Sequence, residues 1–504
     1  MQLQNPERIK KSIIPWLLLV AIISYALFLA SSIQSDVFYQ GDGGMKFMVI
    51  KQINAGQGFK YLDLPHEAWV KEIWQQGFFP VKEPFLYKTA VGYVVSFPPG
   101  FQLASAFFYK YFGYSGLYIL PLFSMLTLWY WVYAVLKKSG INSSMTALGI
   151  FVLVFCSPLT IYGFTYWEHM PAVCLLFAGI AYVVIRHENF LTATIFGFLS
   201  GLAVWLRPEA LVVCFLYSLS GFILYLKEHK KSYWFFVAGM VLSIGSFLLF
   251  NKINYDSFLG VHGYQVLENN SLYSRLVRVF KNELKINWLL LKFFPFTFFV
   301  AVLFWELLKK RKKISLSLQL LAGIVTAFPL LAPFMLPNTG GGQWGPRYFL
   351  PVIPFIVVLL LLFCKEMEYS PFREKLLSIT LLLMIVFSFY LNVYKGGFKE
   401  LRQGNYTRIK PALEFIKQQE EKAIIVNTEH IPMEMGSVFK TKNFFLAEDT
   451  GTLRKLIQVL KKKGITEVVY INERNESPGI NNLYQPTGTA LIKIGNYYFG
   501  KFTL

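Results

Sequence analysis

Long apolar runs separated by short polar connections set the pattern of this chain. A bilayer core of ~30 Å needs roughly 20 apolar residues per crossing helix. Runs of that order recur at Ile13 to about Ser32, Leu117 to Leu136, Thr146 to Trp167, Pro171 to Ile185, Tyr233 to Leu249, Trp288 to Leu308, Leu316 to Leu336, Tyr348 to Cys364 and Leu376 to Val393. A further run, Leu191 to Leu226, is too long for one crossing and is interrupted by Arg207, Pro208 and Glu209, so it reads as two spans joined by a tight turn. The pattern predicts a multispan α-helical membrane protein with about eleven transmembrane helices.

Two polar regions stand apart from this pattern. The first connection, residues about 34–116, carries amphipathic runs at Met45 to Ile53 and Phe101 to Phe112, expected to lie on the bilayer as interfacial helices. Near the C-terminus, KAIIVN, NFFLAE and TEVVYIN read as short strands, with TLRKLIQVLKKK as an amphipathic helix between the last two. The chain is therefore divided into a transmembrane domain over residues 1–395, including the first connection, and a small α/β domain over 396–504.

Composition agrees with lipid as the main solvent. Of 504 residues 55% are hydrophobic and only 15% charged, where soluble proteins average roughly a quarter charged. The net charge of +20 would suggest nucleic acid in a soluble chain. Here the basic residues cluster at Lys10/Lys11, Lys137/Lys138, Arg186, Lys227/Lys230/Lys231, Lys309 to Lys313 and Lys365/Arg373/Lys375, at every second connection. That alternation is a topology signal and not a nucleic-acid footprint: it makes the N-terminus cytoplasmic and the α/β domain extracytoplasmic. Arg275, Arg278, Lys281 and Lys285, in a connection assigned to the outside, run against the rule. Cys156, Cys174, Cys214 and Cys364 all lie in apolar runs without metal-ligand spacing and read as packing residues.

The same topology gathers chemistry on one side: Asp42, Glu168, His169, Arg207, Glu209, His262, Trp344 and Arg347 all fall on the extracytoplasmic face. Three spans running inward from that face begin beside Pro171, Pro208 and Pro346, as helix starts favour, so their N–H-bearing ends face outward and suit a phosphate. Each residue has a plain structural reading as well. Asp42 in GDGG caps a helix as well as it accepts a proton; Glu168 and His169 in YWEHMP, like His262 in FLGVHGY, fit ordinary interfacial side chains. Arg207 can pair with Glu209, and Arg347 in GGGQWGPRY can hold a lipid headgroup or a structural ion pair.

In this order the segments GDGGMKFMVIKQI, FPPGFQLASAFFYKYFG, YWEHMPAVCLLFAGIAY, GLAVWLRPEAL, NYDSFLGVHGY and WGPRYFLPVIPF resemble the GT-C superfamily of glycosyltransferases, multispan enzymes that take sugar from a polyprenyl-phosphate donor. The resemblance covers roughly residues 10 to 365. Within it the chain resembles the protein O-mannosyltransferase-like, lipid A aminoarabinose transferase-like and lipopolysaccharide core galacturonosyltransferase-like enzymes. Protein O-mannosyltransferases usually carry an Asp-Glu pair where this chain has Asp42-Gly43, which argues against protein mannosylation.

The resemblance implies inversion at the anomeric carbon, with Asp42 and Glu168 as catalytic acids and Arg207 and Arg347 on the donor phosphate. His169, His262, Tyr264, Trp344 and Tyr348 are further candidates. A divalent cation (Mg or Mn) shared by Asp42 and Glu168 is an option that the superfamily leaves open. The implied partners are a polyprenyl-phosphate sugar, a lipid, glycan or protein acceptor, and membrane lipid, with no nucleic acid; the implied location is a bacterial inner or plasma membrane. The competing reading is a multispan transporter or flippase of an anionic or lipid-linked solute, although such proteins usually place ionisable groups near the bilayer midplane and show two related halves.

Overall fold

The computed structural model describes residues 6–63, 67–185, 189–263, 272–309, 315–336, 338–340, 343–366, 371–421, 423–473 and 491–504. The chain forms two compact units, Met1–Ser31 with Tyr118–Lys399, and Ser32–Leu117 with Glu400–Leu504.

The first unit is helical. Among the described residues six helices are long and apolar enough to cross a membrane: Ile119–Lys138, Ala210–Glu228, Ser232–Tyr255, Leu316–Met335, Arg347–Glu366 and Pro371–Gln418, the last numbered past the end of this unit at Lys399. Shorter apolar helices are Ile14–Ala30, Ser143–Phe155, His169–Ile185 and Phe190–Leu206. The expected split of the run from 191 to 226 falls where Arg207-Pro208-Glu209 separates Phe190–Leu206 from Ala210–Glu228. The helix Ile353–Glu366, apolar on all sides, is enclosed on all sides, with Ile353, Phe355, Ile356, Val357 and Leu359 fully buried. Helices Phe190–Leu206 and Ser232–Tyr255 touch backbone to backbone: a Cβ at Gly197 would stand 1.8 Å from the Phe236 carbonyl oxygen, and one at Gly239 2.1 Å from that of Thr194. Small residues permit such contact, which is how helices associate where lipid offers no hydrophobic driving force.

Two expected spans differ from the pattern, both at prolines. The run Trp288 to Leu308 is not a straight span. Helix Leu272–Phe293 ends at Phe294-Pro295 and the chain turns by 94° into Phe296–Lys309, because proline cannot continue the hydrogen-bond ladder and its ring clashes with the turn before. Arg275, Arg278, Lys281 and Lys285 lie on the first of these helices, across the direction of the second. The run Thr146 to Trp167 likewise stops at Phe155, passes Cys156-Ser157-Pro158 and resumes as the short helix Leu159–Gly163. The basic ends keep company: Lys365 Nζ donates to the Ser139 carbonyl at 3.0 Å, next to Lys137 and Lys138, and Arg373 pairs with Glu306 at 3.7 Å. Arg186 and residues 310–313 lie outside the described residues.

The second unit carries a two-stranded antiparallel hairpin, β1 (Leu86–Lys88) with β2 (Tyr93–Val95), and a five-stranded sheet. That sheet is built from β3 (Ala423–Val426), β4 (Asn443–Leu446), β5 (Glu467–Asn472), β6 (Ile492–Ile494) and β7 (Tyr497–Thr503), in the order β4-β3-β5-β7-β6. β3 pairs in parallel with β4 and β5, which demands crossovers. Thr450–Lys462 is the crossover from β4 to β5, N-capped by Asp449, whose Oδ1 accepts from Thr452 N at 2.8 Å, with Leu453, Leu456, Ile457 and Leu460 buried. The last two strands escaped the sequence pattern.

The first connection belongs to this unit, whereas the sequence division grouped it with residues 1–395. Trp74 Nε1 donates to the Phe444 carbonyl at 2.9 Å, Lys463 pairs with Glu72 at 2.5 Å, and helix Gly41–Asn54 packs on helix His430–Glu434. Of the two expected interfacial helices, Pro99–Gly116 does expose an aromatic stripe of Phe107, Tyr111 and Phe112. Gly41–Asn54 does not: residues 43–50 are all buried, and glycine makes this possible, because a Cβ at Gly44 would stand 1.9 Å from the Met433 carbonyl oxygen. Its apolar positions serve protein packing, which hydropathy cannot tell from lipid contact.

Two predictions follow from this packing. Gly44→Ala forces backbones apart and should destabilise the chain by about 1–3 kcal/mol, read as a lowered thermal midpoint. Glu434, which accepts a hydrogen bond from the Tyr497 hydroxyl, is pushed by burial from the ordinary 4.5 up to about 7, against that hydrogen bond. A carboxyl whose folded pKa lies above its unfolded one contributes stability that is fully present below about 4.5 and lost as pH rises through about 7. Glu434→Gln should flatten the stability profile across that window; an unchanged slope would assign the dependence elsewhere.

Candidate active site

The glycine-rich segment before Arg347 sets the site's geometry. Gly345 takes φ +76°, and a Cβ there would also meet Pro158 at 3.2 Å. The turn holds Trp344 between two partners: its Nε1 donates to Asn392 Oδ1 at 3.3 Å, and its carbonyl accepts from the Tyr162 hydroxyl at 2.8 Å. Arg347 and Tyr348 follow at once, opening the 3-10 turn Arg347–Val352 that leads into Ile353–Glu366.

Tyr348, 4% exposed, is the centre of an ionic cluster. The Arg207 guanidinium carbon lies 5.1 Å from its ring centroid and that of Arg347 5.0 Å, within cation–π range. Arg347 Nη2 donates to the Tyr348 hydroxyl at 3.2 Å, and that hydroxyl donates to Asn338 Oδ1 at 3.3 Å. Arg347 also lies 6.0 Å from the Trp167 ring.

Arg207 is bound by carboxylates. Its Nη1 donates to Glu168 Oε1 at 3.0 Å, its Nε to Glu209 Oε1 at 2.7 Å, and Nη2 also reaches Glu209 Oε1. Glu168 is 2% exposed and Glu209 4%. Desolvating each ion costs several kcal/mol, recovered only through good geometry and further hydrogen bonds. Arg207 is thus compensated directly by two carboxylates, and Arg347 lies against aromatic rings and a hydroxyl.

The structure thus brings together Glu168, Arg207, Arg347 and Tyr348, with His169 and Trp344 at the aromatic edge. The His169 ring lies 5.3 Å from that of Tyr162 and 5.4 Å from that of Trp167. His262 has a different partner, its Nε2 standing 3.1 Å from the Met335 carbonyl. Tyr264 lies outside the described residues. Asp42 belongs to the second unit, half-buried in the first turn of helix Gly41–Asn54, where an acid favours the helix dipole. The capping position is Gln40, without a side-chain cap bond, so Asp42 is not the N-cap.

Three residues escaped the sequence reading. Lys46, one turn after Asp42, is 1% exposed with Nζ 4.5 Å from the Phe97 ring centroid; a lysine inside an otherwise glycine-rich and apolar helix was its signal. Asn392 is an amide inside an apolar run. Asn338, in a loop, gave no signal.

Among the described residues no three His, Cys, Asp or Glu side chains gather as a metal site, and Glu168 Oε1 is taken by Arg207.

Removing the guanidinium would leave two carboxylates buried without it. Arg207→Ala should cost about 3–5 kcal/mol, while replacing the triad by neutral residues of similar size should cost much less. Thermal unfolding of the purified full chain compares the two; equal losses would show that the ion pairs are not what the site needs.

No family model matches the sequence, and no curated protein matches it. Solved structures do match. ArnT from Cupriavidus metallidurans in its apo state gives a TM-score of 0.56 at 11% identity, over 97% of this chain and 98% of that one. The same protein bound to undecaprenyl phosphate gives 0.54 at 12% identity, over 96% and 97%. An oligosaccharyltransferase from Archaeoglobus fulgidus, in complex with Zn and sulfate, gives 0.48 at 12% identity, over 89% and 67%. Over nearly its whole length this chain has the fold of ArnT.

Proposed function

We propose that the chain is an integral membrane glycosyltransferase that moves a sugar from a polyprenyl-phosphate donor to an acceptor hydroxyl on the extracytoplasmic face, with inversion. The observation that carries this reading is a buried cluster of guanidiniums and carboxylates around Tyr348, within the fold of a protein solved with undecaprenyl phosphate bound. The positive-inside alternation supports the orientation.

Roles follow from charge. As the acceptor oxygen bonds to the anomeric carbon, the bond from that carbon to the phosphate oxygen breaks and polyprenyl phosphate departs with one more negative charge. Fixed donors stabilise such charge best because they need no reorganisation at the moment of reaction. Arg347 suits that task, since its guanidinium is held by Tyr348 and by ring stacking. Arg207, spent on Glu168 and Glu209, is a positioning residue that keeps the cluster assembled. In the second unit Asp42 is the general base for the acceptor proton, and Lys46, four residues on and so on the same helix face, places a buried cation beside it in sequence.

The test is reconstitution of the full chain with a panel of polyprenyl-phosphate sugars. Asp42→Asn should lower turnover about 100- to 10,000-fold, and Arg347→Ala about 100- to 1,000-fold, each without loss of folding. If the intact chain consumes no donor in the panel, or Asp42→Asn consumes it at an equal rate, the reading fails.

A further inference from the structure

The helix Leu272–Phe293, whose basic residues broke the charge rule, shows three distinct faces. Tyr273, Leu276, Phe280, Leu284 and Trp288 recur every three or four residues and are 51 to 77% exposed. Asn282, Ile286 and Leu290 face inward, at most 3% exposed. Between the two runs a basic row, Arg278, Lys281 and Lys285.

The 94° turn at Phe294-Pro295 fixes how this helix meets a bilayer. If Phe296–Lys309 runs along the membrane normal, Leu272–Phe293 lies in the membrane plane, its apolar stripe on the acyl chains. The basic row beside that stripe then stands at the depth of lipid phosphates. It borders a shallow, open depression. A groove of about 880 Å³ runs along it, bounded by Arg278, Lys281, Asn282, Lys285 and Trp288 on the helix and by Asn338 and Thr339 opposite. The opposite wall is fixed in place: Asn338 Oδ1 accepts from Gly340 N at 2.8 Å and from the Tyr348 hydroxyl at 3.3 Å, and Asn282 Nδ2 donates to the Leu336 carbonyl at 3.4 Å. Among the described residues no carboxylate pairs with Lys281 or Lys285; Glu283, between them in sequence, is bonded to Asn287.

We propose that this groove binds the phosphate of an anionic bilayer phospholipid, with Lys281 and Lys285 as its ammonium ligands and the lipid's chains against the stripe of Phe280, Leu284 and Trp288. Charge complementarity selects an anion. The neighbouring apolar stripe selects a lipid-borne anion over a free one. The inference does not depend on the glycosyltransferase reading.

The test uses the full chain in phosphatidylcholine nanodiscs, with phosphatidylglycerol binding measured by native mass spectrometry. Each lysine near an anionic surface contributes roughly fivefold in affinity, so Lys281→Gln/Lys285→Gln should weaken binding about 30-fold. The pair Lys227→Gln/Lys230→Gln, on another connection, should leave the tightest site intact, and inorganic phosphate at millimolar concentration should not displace the lipid. Both lysines are exposed, and an unchanged thermal midpoint confirms that the variant folds; a variant that unfolds is replaced by the single substitutions, each expected to weaken binding roughly fivefold. Unchanged binding after the 281/285 substitutions, equal loss from the 227/230 pair, or displacement by inorganic phosphate would each overturn the proposal.

Discussion

The helical unit rests on one buried amide. Inside a bilayer protein every backbone polar group released from a helix must find a partner within the protein, and this chain releases several near its site. The helix Ser143–Phe155 stops before Cys156, and Leu272–Phe293 stops at its bend. Asn392 Nδ2 answers both, lying 3.1 Å from the Cys156 carbonyl, 3.2 Å from that of Phe293 and 3.0 Å from that of Ser388. An amide has two N–H groups, so these are shared among three acceptors, while its oxygen takes the Trp344 indole. One side chain, 2% exposed, thereby ties together two helix breaks, a third helix and the turn that presents Arg347. Replacing it by an apolar residue would orphan carbonyls in a place water does not reach.

The ionic cluster uses the same economy of partners. A lysine at position 207 could not hold Glu168 and Glu209 in one plane, whereas the guanidinium fork offers donors in a rigid geometry to both. Tyr348 adds a ring that attracts both guanidiniums and a hydroxyl that links Arg347 to Asn338. Rigidity is the consequence: the charges are held in place by the fold itself, and their desolvation cost is met in folding.

What the sequence made legible was what depends on local pattern. The break at Arg207-Pro208-Glu209 was visible because three helix-disfavouring or charged residues interrupt an apolar run. The strands β3, β4 and β5 and the helix Thr450–Lys462 were visible by period. Hidden features depended on partners far along the chain. Phe294-Pro295 sits inside a run apolar enough for a straight span, and hydropathy is blind to direction. Helix Gly41–Asn54 resembles an interfacial helix until its glycines meet Met433, 389 residues after Gly44 in number. The grouping of Arg207 with Glu168 was foreseeable as shared topology and its pairing with Glu209 from their closeness in sequence; that one guanidinium holds both acids needed distances.

Prolines explain why the chemistry falls where it does. A chain that is mostly apolar can place ionisable groups only where backbone and side chains are already polar, and helix breaks supply such places. Glu168 lies three residues before Pro171, Arg207 and Glu209 flank Pro208, and Arg347 follows Pro346. Pro158 and Pro295 mark the two breaks that Asn392 closes. Because proline ends or opens helices by sterics and by its missing N–H, the positions of these five residues determine where this membrane unit can hold charge, and the apolar helices between them serve chiefly to bring those positions together.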